Sequence, residues 1–262
     1  ISAGISKLGA PAGHATAVQC YAELKAIPWA SVSIVIEAAT ENLPLKQQLF
    51  AAVEALAKPD IPLVSNTSNF PIGDIAKDLK HPNRIAGLHF FMPAHLVPLV
   101  EVVSSPLTDP KVAEGLVQLL KDLEKAPIWV KKDVPGFVGN RLQHAMMREA
   151  LYLIADGVTD AEGIDTAVRY GFGFRFIACG PMMQKEMSGW DTHDLVASAL
   201  YPHLHAEKEP PQWLKDLVAK GRTGMKVKAG MWDWDDDKIK KEKARIERAL
   251  QAGFDILRAD DG

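Results

Sequence analysis

Cysteine is scarce in this sequence, and long apolar runs are missing altogether. The two cysteines, Cys20 and Cys179, lie far apart and have no metal-ligand spacing, which favours reduced thiols in the cytoplasm. No apolar stretch reaches the roughly 18 residues that span a bilayer. The best candidate, Leu88–Val103, is interrupted by His89, by prolines and by Glu101. No basic leader with an apolar core is seen either. We therefore expect a cytoplasmic protein with no membrane partner.

Positive charge is not in excess, since 30 lysines and arginines face 33 aspartates and glutamates, for a net charge of -3. A surface without a basic excess argues against nucleic acid as the main partner, because binding requires phosphate neutralisation. The histidines His89 and His95 also lack the spacing of metal ligands, so we expect no metal. What remains is an ordinary globular composition, with 47% hydrophobic residues.

A glycine-rich dinucleotide loop is missing as well. Gly171 and Gly173 form the only Gly-x-Gly, which follows a helical segment and has no third glycine behind it. No phosphate-binding loop and no Gly-x-Ser-x-Gly nucleophile turn are present either. The sequence begins at Ile1 rather than methionine, so we expect further residues upstream of it.

From Ser33 to Lys132, short apolar strands alternate with helical segments. This alternation predicts an α/β fold with a mostly parallel sheet covered by helices on both faces. The predicted strands are Ile34–Ile36, Ile61–Ser65, Ile85–Phe90, Leu99–Val103 and Ile128–Val130. The predicted helices are Asn42–Ala57, Pro71–Leu79 and Asp109–Glu124.

After Lys132 the strand signals stop and helix follows helix. The division predicts an α/β domain at residues 1–133 and an all-helical domain at 134–262. A helix from the capping-box pair Thr159 and Glu162 to near Gly171 is among those expected. The others are Phe137–Ala155, Thr192–Leu200, Pro211–Lys220 and Lys238–Leu257.

Polar side chains follow three of the predicted strands. Glu41 comes after the first, Asn66–Ser68 after the second, and His89 at the end of the third. Ligands of open α/β sheets bind beyond the carboxyl ends of the strands, so these groups mark a candidate site. Glu101 lies in the apolar strand VPLVEVV, where a buried carboxylate needs a cation or donor. If the two strands are neighbours, His89 is that partner, and the contact makes it a better general base.

Three further residues have two interpretations each. Asn140 lies in the first turn of a helix, where free N–H groups favour negative charge, but it also fits a solvent-facing cap. Ser68 fits either a turn or a donor to a substrate oxygen. Arg175, in GFGFRF, either binds a substrate carboxylate or pairs with a structural acid.

Four segments resemble, in order, motifs of the 3-hydroxyacyl-CoA dehydrogenase family. They are IEAATENLPLKQQLF at 36–50, SNTSNFPI at 65–72, HFFMPAHLVPLVEVV at 89–103 and KDVPGFVGNR at 132–141. KVKAGMWDW at 226–234 is similar to a glycine-aromatic segment near the end of that family. The spacings of 21 positions from Ser68 to His89 and of 12 from His89 to Glu101 support the match.

The resemblance implies an NAD-dependent dehydrogenase that oxidises the 3-hydroxy group of a small-molecule substrate, in fatty acid metabolism and as a homodimer. It also implies that residues 1–133 form a Rossmann-like NAD-binding domain, incomplete at its N-terminus, and that residues 134–262 form the domain for substrate binding and dimerisation. On the matching positions, His89 takes the hydroxyl proton and Glu101 supports the imidazolium. Ser68 and Asn140 hold the substrate oxygen. The positions that match the cofactor side are Glu41, Lys46 and Asn66.

The sequence departs from the family pattern in two places. Before the segment that matches Ile34–Ile36, the family has about fifty residues with a glycine-rich turn. We expect a piece of a longer protein rather than a lost pyrophosphate site, because a sheet without its central strands would expose apolar edges. The second departure is GFGFRFIACGP at 171–181, where acyl-CoA enzymes have a shorter turn. Similar segments occur in relatives that oxidise small hydroxy acids.

The substrate therefore stays open at this level. It is a 3-hydroxyacyl-CoA, or a small non-CoA hydroxy acid or alcohol, with Arg175 as the clamp for a carboxylate. A third alternative is a non-catalytic, crystallin-like relative.

Overall fold

The computed structural model describes residues 17–260, and within them the chain forms one sheet of five strands. Neighbours in the sheet are also neighbours in the sequence. The strands are β1 (Val35–Glu37), β2 (Leu63–Ser65), β3 (Ile85–Phe90), β4 (Leu99–Val103) and β5 (Ala126–Val130). The first three are parallel, β4 is antiparallel to β3, and β5 is parallel to β4. A mostly parallel sheet with helices confirms the predicted α/β class.

Helices cover both faces of the sheet. They are α1 (Leu43–Glu54), α2 (Ile72–Ala76) and α3 (Pro110–Asp122). Side chains alternate between the two faces of a strand, so consecutive residues join different cores. Leu63 packs in one buried cluster with Phe50 of α1, while Val64 packs in the other with Leu116 of α3. The two cores fix the strands that carry the polar residues.

Local sequence signals start two of these helices. Asn42 caps α1 by accepting a hydrogen bond from the Leu45 N–H at 3.0 Å, and Asp109 caps α3 through the Lys111 N–H. Each helix also has a proline in its first turn. A backbone N–H has no partner within the helix at that point, so the missing N–H of proline costs nothing, and the φ of proline is already helical. The loop after β1 therefore ends at a fixed point, which sets where α1 begins.

The second compact unit starts at Leu142, shortly after the start of α4 (Gly139–Ala155). Its further helices are α5 (Ala161–Ala167), α6 (Pro181–Ser188), α7 (Trp190–Leu200), α8 (Gln212–Ala219) and α9 (Asp236–Asp260). A π-helical turn, Val168–Phe172, and a 3-10 turn, Gly173–Ile177, connect α5 to α6. Across residues 17–260, none of the helices has both the length and the apolar character to cross a membrane.

The helical unit differs from the sequence prediction in detail. Asp160, not Thr159, caps α5, and its Oδ1 accepts from the Gly163 N–H at 2.8 Å. The predicted end near Gly171 falls within the π-helical turn. Helix α6 was not predicted, because Gly180 and Pro181 have the composition of a turn, although proline is also favoured at a helix start. The contacts divide the chain between residues 141 and 142, whereas the sequence motifs divide it after 133.

Candidate active site

The centre of the site is a contact between His89 and Glu101. The two residues are directly opposed in the antiparallel register of β3 and β4. His89 Nδ1 lies 2.7 Å from Glu101 Oε2, and the residues are 3% and 0% exposed. A carboxylate in this apolar strand thus has the partner that its burial requires.

The second oxygen of Glu101 is also bound. Its Oε1 accepts hydrogen bonds from the backbone N–H groups of Val138 and Gly139, each at 2.9 Å. Burial by itself would raise the pKa of Glu101. The hydrogen bond from His89, the two backbone donors and the histidine charge outweigh it and hold the pKa below its ordinary value of 4.5. Glu101 is therefore ionised at neutral pH.

An ionised Glu101 determines how the His89 ring can be protonated. A carboxylate only accepts hydrogen bonds, so Nδ1 must carry the proton and donate it. In the neutral ring, Nε2 then has a free lone pair. The ring is held by Phe91 and Phe137, at centroid distances of 4.7 and 5.7 Å. The arrangement can accept a proton at Nε2 and stabilise the resulting cation through Glu101.

Ser68 and Asn140 meet beyond the strand ends. Asn140 Nδ2 donates to the backbone carbonyl oxygen of Ser68 at 3.3 Å, across 72 positions of sequence. Ser68 is exposed and Asn140 is half-buried, so both side chains are accessible. A hydroxyl and an amide are groups that can donate to a substrate oxygen.

A second polar cluster lies at the ends of β1 and β2. Lys46 of α1 is 1% exposed, and its Nζ lies 2.9 and 3.0 Å from the two carboxylate oxygens of Glu37 and 3.2 Å from Glu41 Oε2. The other oxygen of Glu41 accepts from the Thr67 hydroxyl at 2.8 Å and from the Ser68 N–H at 2.7 Å. The structure therefore joins Glu41 and Lys46 to the loop that carries Ser68.

The cluster gives Glu41 an ionised carboxylate at the surface. Partial burial alone would raise its pKa, but the bonds from Thr67 and Ser68 and the Lys46 charge hold it below the ordinary value. With its side chain 42% exposed, Glu41 can still accept from a ligand. Glu41 therefore presents a charged hydrogen-bond acceptor at the carboxyl ends of β1 and β2.

Asn66 is used within the sheet. Its Oδ1 accepts from the Phe90 N–H at 2.9 Å, so it ties the end of β2 to the end of β3, next to His89. Its amide nitrogen is the part that remains for a ligand.

Arg175 lies in the helical unit, in the 3-10 turn after α5, and is exposed. With the Gln184 amide oriented so that its oxygen faces the guanidinium, the contacts measure 2.6 and 2.9 Å. The arginine therefore has an uncharged partner, which leaves its charge available to an anion. The sequence-predicted residues of the sheet unit lie together, and Arg175 belongs to the other unit.

Glu37 and Ser65 also belong to the second polar cluster, although the sequence did not single them out. Ser65 Oγ donates to Glu37 Oε2 at 2.6 Å, and the Thr67 N–H donates to Ser65 Oγ at 3.2 Å. A signal for Glu37 was present, because it follows the apolar run of β1 just as Glu101 sits in the apolar strand β4. The burial argument that identified Glu101 applies equally to Glu37. No group of three or more potential ligand side chains is placed to hold a metal ion between residues 17 and 260.

Comparison with protein families identifies the family to which the chain belongs. The model of the 3-hydroxyacyl-CoA dehydrogenase NAD binding domain matches residues 7–134, and that of the family's C-terminal domain matches residues 136–234. The chain belongs to the 3-hydroxyacyl-CoA dehydrogenase family. The matches confirm the predicted family, its enzyme class and NAD as the cofactor.

Several proteins are similar to this dehydrogenase over most of its length. The 5-formyl-3-hydroxy-2-methylpyridine 4-carboxylate 5-dehydrogenase of Mesorhizobium japonicum is 32% identical over 86% of this chain and 72% of its own. The 3-hydroxyadipyl-CoA dehydrogenase of Escherichia coli is 36% identical over 94% of this chain, which spans half of that protein. A crystal structure of a 5-dehydrogenase of the same pyridine compound superposes with a TM-score of 0.84 at 32% identity, over 87% of this chain and 74% of that one.

Proposed function

We propose that the protein oxidises a secondary hydroxyl group to a carbonyl, with His89 as the general base and Glu101 as its partner. The observation that carries the proposal is the buried 2.7 Å contact between His89 Nδ1 and an ionised carboxylate. General bases need a neutral nitrogen within reach of the proton and a way to hold the charge that follows. His89 provides the nitrogen and Glu101 the opposite charge, and each residue lies on a strand of the sheet.

The proton is taken at His89 Nε2. Glu101 keeps the proton on Nδ1 and stabilises the imidazolium once Nε2 is protonated. NAD, when bound, would supply the acceptor for the hydride that leaves the carbon bearing this hydroxyl group. Phe91 and Phe137 keep water from the ring, which strengthens the attraction between the imidazolium and the carboxylate.

Ser68 and Asn140 are proposed to hold the oxygen of the reacting group. Charge develops on this oxygen as the proton leaves, and donors that are already in place stabilise it without reorganisation. Asn140 lies in the first turn of α4, whose positive end favours the same charge. The contact of its amide with the Ser68 carbonyl supports a common role.

Glu41, Lys46 and Asn66 are proposed to form the cofactor side. The half-exposed carboxylate of Glu41 is the group that would accept from the ribose hydroxyls beside the nicotinamide. Asn66 would offer its amide N–H groups, since its oxygen is used by Phe90. Lys46, which is buried, would contribute its charge through Glu41.

A 3-hydroxyacyl-CoA is the substrate class that we propose first, because both family domains match. A small hydroxy acid is the second candidate. The exposed guanidinium of Arg175 favours this candidate. So does the similarity to the Mesorhizobium japonicum dehydrogenase, which is named for a pyridine carboxylate. A planar guanidinium binds a carboxylate through two parallel hydrogen bonds.

The two substrate classes can be separated with one set of variants. Wild-type protein, Arg175→Ala and the control Arg248→Ala, an exposed arginine of α9, would be assayed with acetoacetyl-CoA and NADH and with free 3-hydroxy acids and NAD. Turnover of acetoacetyl-CoA that is unchanged in Arg175→Ala, without turnover of free acids, would eliminate the hydroxy-acid candidate. If the wild type and Arg248→Ala oxidise free acids and Arg175→Ala does not, the CoA candidate would be overturned. Binding of NADH without turnover of either class would favour the non-catalytic relative.

We also propose a homodimer formed through the helical unit. Large apolar side chains are exposed along α6 and α7, with Met182, Met187 and Leu195 at 64, 78 and 74% exposure. Exposed apolar surface of this kind is typical of interfaces between identical chains. Light scattering at increasing concentration tests it, and a protein that stays monomeric would contradict it. The cytoplasmic location and the part in fatty acid metabolism stay predictions of the sequence.

A further inference from the structure

Glu37 is a buried carboxylate for which the proposed reaction has no direct use. It ends β1, is 9% exposed, and is paired in the parallel register with Ser65 of β2. Ser65 donates to its Oε2 at 2.6 Å, and both of its oxygens contact the Lys46 ammonium. A buried ion pair is costly to desolvate, and in some proteins it is kept because it fixes one geometry.

The contacts of Lys46 show where that purpose lies. An ammonium group has three N–H donors. Four acceptors surround it, because Glu41 Oε2 at 3.2 Å and the Ala39 carbonyl oxygen at 3.3 Å join the two oxygens of Glu37. No donor of Lys46 is left over for a ligand. The effect of this lysine on a cofactor must therefore pass through a residue that it holds.

Glu41 is the residue that reaches the surface. Lys46 fixes one of its oxygens, and Thr67 and Ser68 fix the other. If Glu37 lost its charge, Lys46 would keep a single carboxylate partner. The attraction between Lys46 and Glu41 would then be unshared, and Glu41 would be drawn towards the buried ammonium and away from solvent.

We propose that Glu37 is a positioning residue for NAD. It holds the Lys46 ammonium at a distance that leaves the Glu41 carboxylate outward, where it can accept from the ribose hydroxyls. Ser65 fixes Glu37 in turn, so the sequence of contacts runs from Ser65 through Glu37 and Lys46 to Glu41. This inference rests on the role proposed above for Glu41.

A double-mutant cycle tests the inference through binding alone. NADH would be titrated by its nicotinamide fluorescence into the full-length wild-type protein, Glu37→Gln, Glu41→Gln and the double variant. We expect Glu37→Gln to raise the Kd for NADH roughly tenfold, and to raise it no further in the Glu41→Gln background. An unchanged Kd in Glu37→Gln, or effects that add in the double variant, would overturn the proposal.

Two more variants keep the test decisive. If Glu37→Gln does not fold, Ser65→Ala takes its place, because it removes one hydrogen bond to Glu37. We expect Ser65→Ala to raise the Kd for NADH by less than Glu37→Gln does. This rise must also vanish in the Glu41→Gln background. Arg84→Met is the structural control, since Arg84 is buried at the opposite, amino end of β3 and bonds to the Lys58 carbonyl. It should lower the free energy of unfolding and leave the Kd unchanged. A rise in Kd equal to that of Glu37→Gln would reduce Glu37 to a general stabilising residue.

The outcomes also separate this inference from the proposed function. The titration needs no hydroxyl substrate, so it can be read even if the substrate class is wrong. Wild-type protein that does not bind NADH would overturn the proposed cofactor side and this inference with it. Binding without coupling between Glu37 and Glu41 would overturn this inference alone.

Discussion

His89 and Glu101 face each other as paired residues of antiparallel strands, so the register of the sheet aligns them. Opposed residues of such a pair project to the same face, and their neighbours Leu88 and Val102 project to the other. A slip by one position would turn Glu101 to the opposite face. The two apolar cores oppose such a slip, because it would move the buried side chains of β4 into the packing of the opposite face. The register of β3 and β4 therefore fixes the position of the proposed acid/base pair.

Replacing His89 tests the proposed base. We expect His89→Gln to lower kcat by about 10² to 10⁴, the usual loss for a general acid–base group, and to leave the Kd for NADH nearly unchanged. Steady-state kinetics and NADH titration measure the two quantities. His95→Gln is the matched control, because His95 is exposed on the loop between β3 and β4. A turnover near the wild-type rate in His89→Gln would exclude it as the base.

Replacing Glu101 tests the buried carboxylate. Glu101→Gln weakens the bonds to His89, Val138 and Gly139. We expect the free energy of unfolding at neutral pH to fall by about 1.5–3 kcal/mol, the usual range for hydrogen bonds to a charged group. Urea unfolding measures this loss. A variant as stable as the wild type would mean that the ionised form contributes nothing to stability.

The same carboxylate predicts how stability depends on pH. The pKa of Glu101 is lowered in the folded state, so between that value and 4.5 the unfolded chain binds more protons than the folded one. The stabilisation is complete above 4.5 and is lost as the pH falls through the lowered pKa. Urea unfolding from about pH 7 to about pH 3 should show this decline. Glu101→Gln should make the decline shallower, and equal slopes in both proteins would assign it to other groups.

Gly87 of β3 and Gly115 of α3 give opposite predictions for the same substitution. A Cβ on Gly87 would lie 2.8 Å from Val103 Cβ and 3.0 Å from Ile72 Cδ1, whereas one on Gly115 meets nothing within 4 Å. Gly87→Ala should destabilise by about 1–3 kcal/mol through overpacking. Gly115→Ala should stabilise by up to about 1 kcal/mol, because alanine favours a helix. Thermal unfolding of the two variants decides, and equal shifts would contradict the packing described for β3.

Asn140 tests the proposed contact with the reacting oxygen. We expect Asn140→Ala to lower kcat by about 10² or more, as loss of a donor to a developing charge does. The KM for NAD should change little. Asn83→Ala is the control, since Asn83 is exposed at the amino end of β3. A larger effect on KM than on kcat would assign Asn140 to binding instead.

Strands β3 and β4 have the bounds that the sequence predicted, because each is a mainly apolar run and a proline-containing loop separates them. Strand β1 was predicted one position early. The hydrophobic pattern ends at Ile36, whereas the pairing in the structure extends to Glu37, whose partner is Ser65. The apolar pattern alone ends one residue before the strand does, because the last paired residue of β1 is the buried carboxylate Glu37.

The candidate site, like the fold, was predicted from the sequence only in part. The burial cost of Glu101 predicted a partner for it, and the strand ends predicted which loops converge. The network around Lys46 could not be predicted, because lysine is usually solvated and nothing in its local sequence shows that α1 presents it to the sheet. The antiparallel direction of β4 was also not predicted, since periodicity alone carries no strand direction.

The short separation between His89 and Glu101 has a consequence for the order of folding. These residues are 12 positions apart, whereas the Asn140 side chain and the Ser68 carbonyl are 72 apart. Loop-closure entropy makes the longer contact more costly by about 1.6 kcal/mol. The histidine and its carboxylate can thus come together with the β3–β4 hairpin, before the contact between Ser68 and Asn140 closes. A chain arrested part-way through folding would hold the paired base without the contact that completes the place for the oxygen on which it acts.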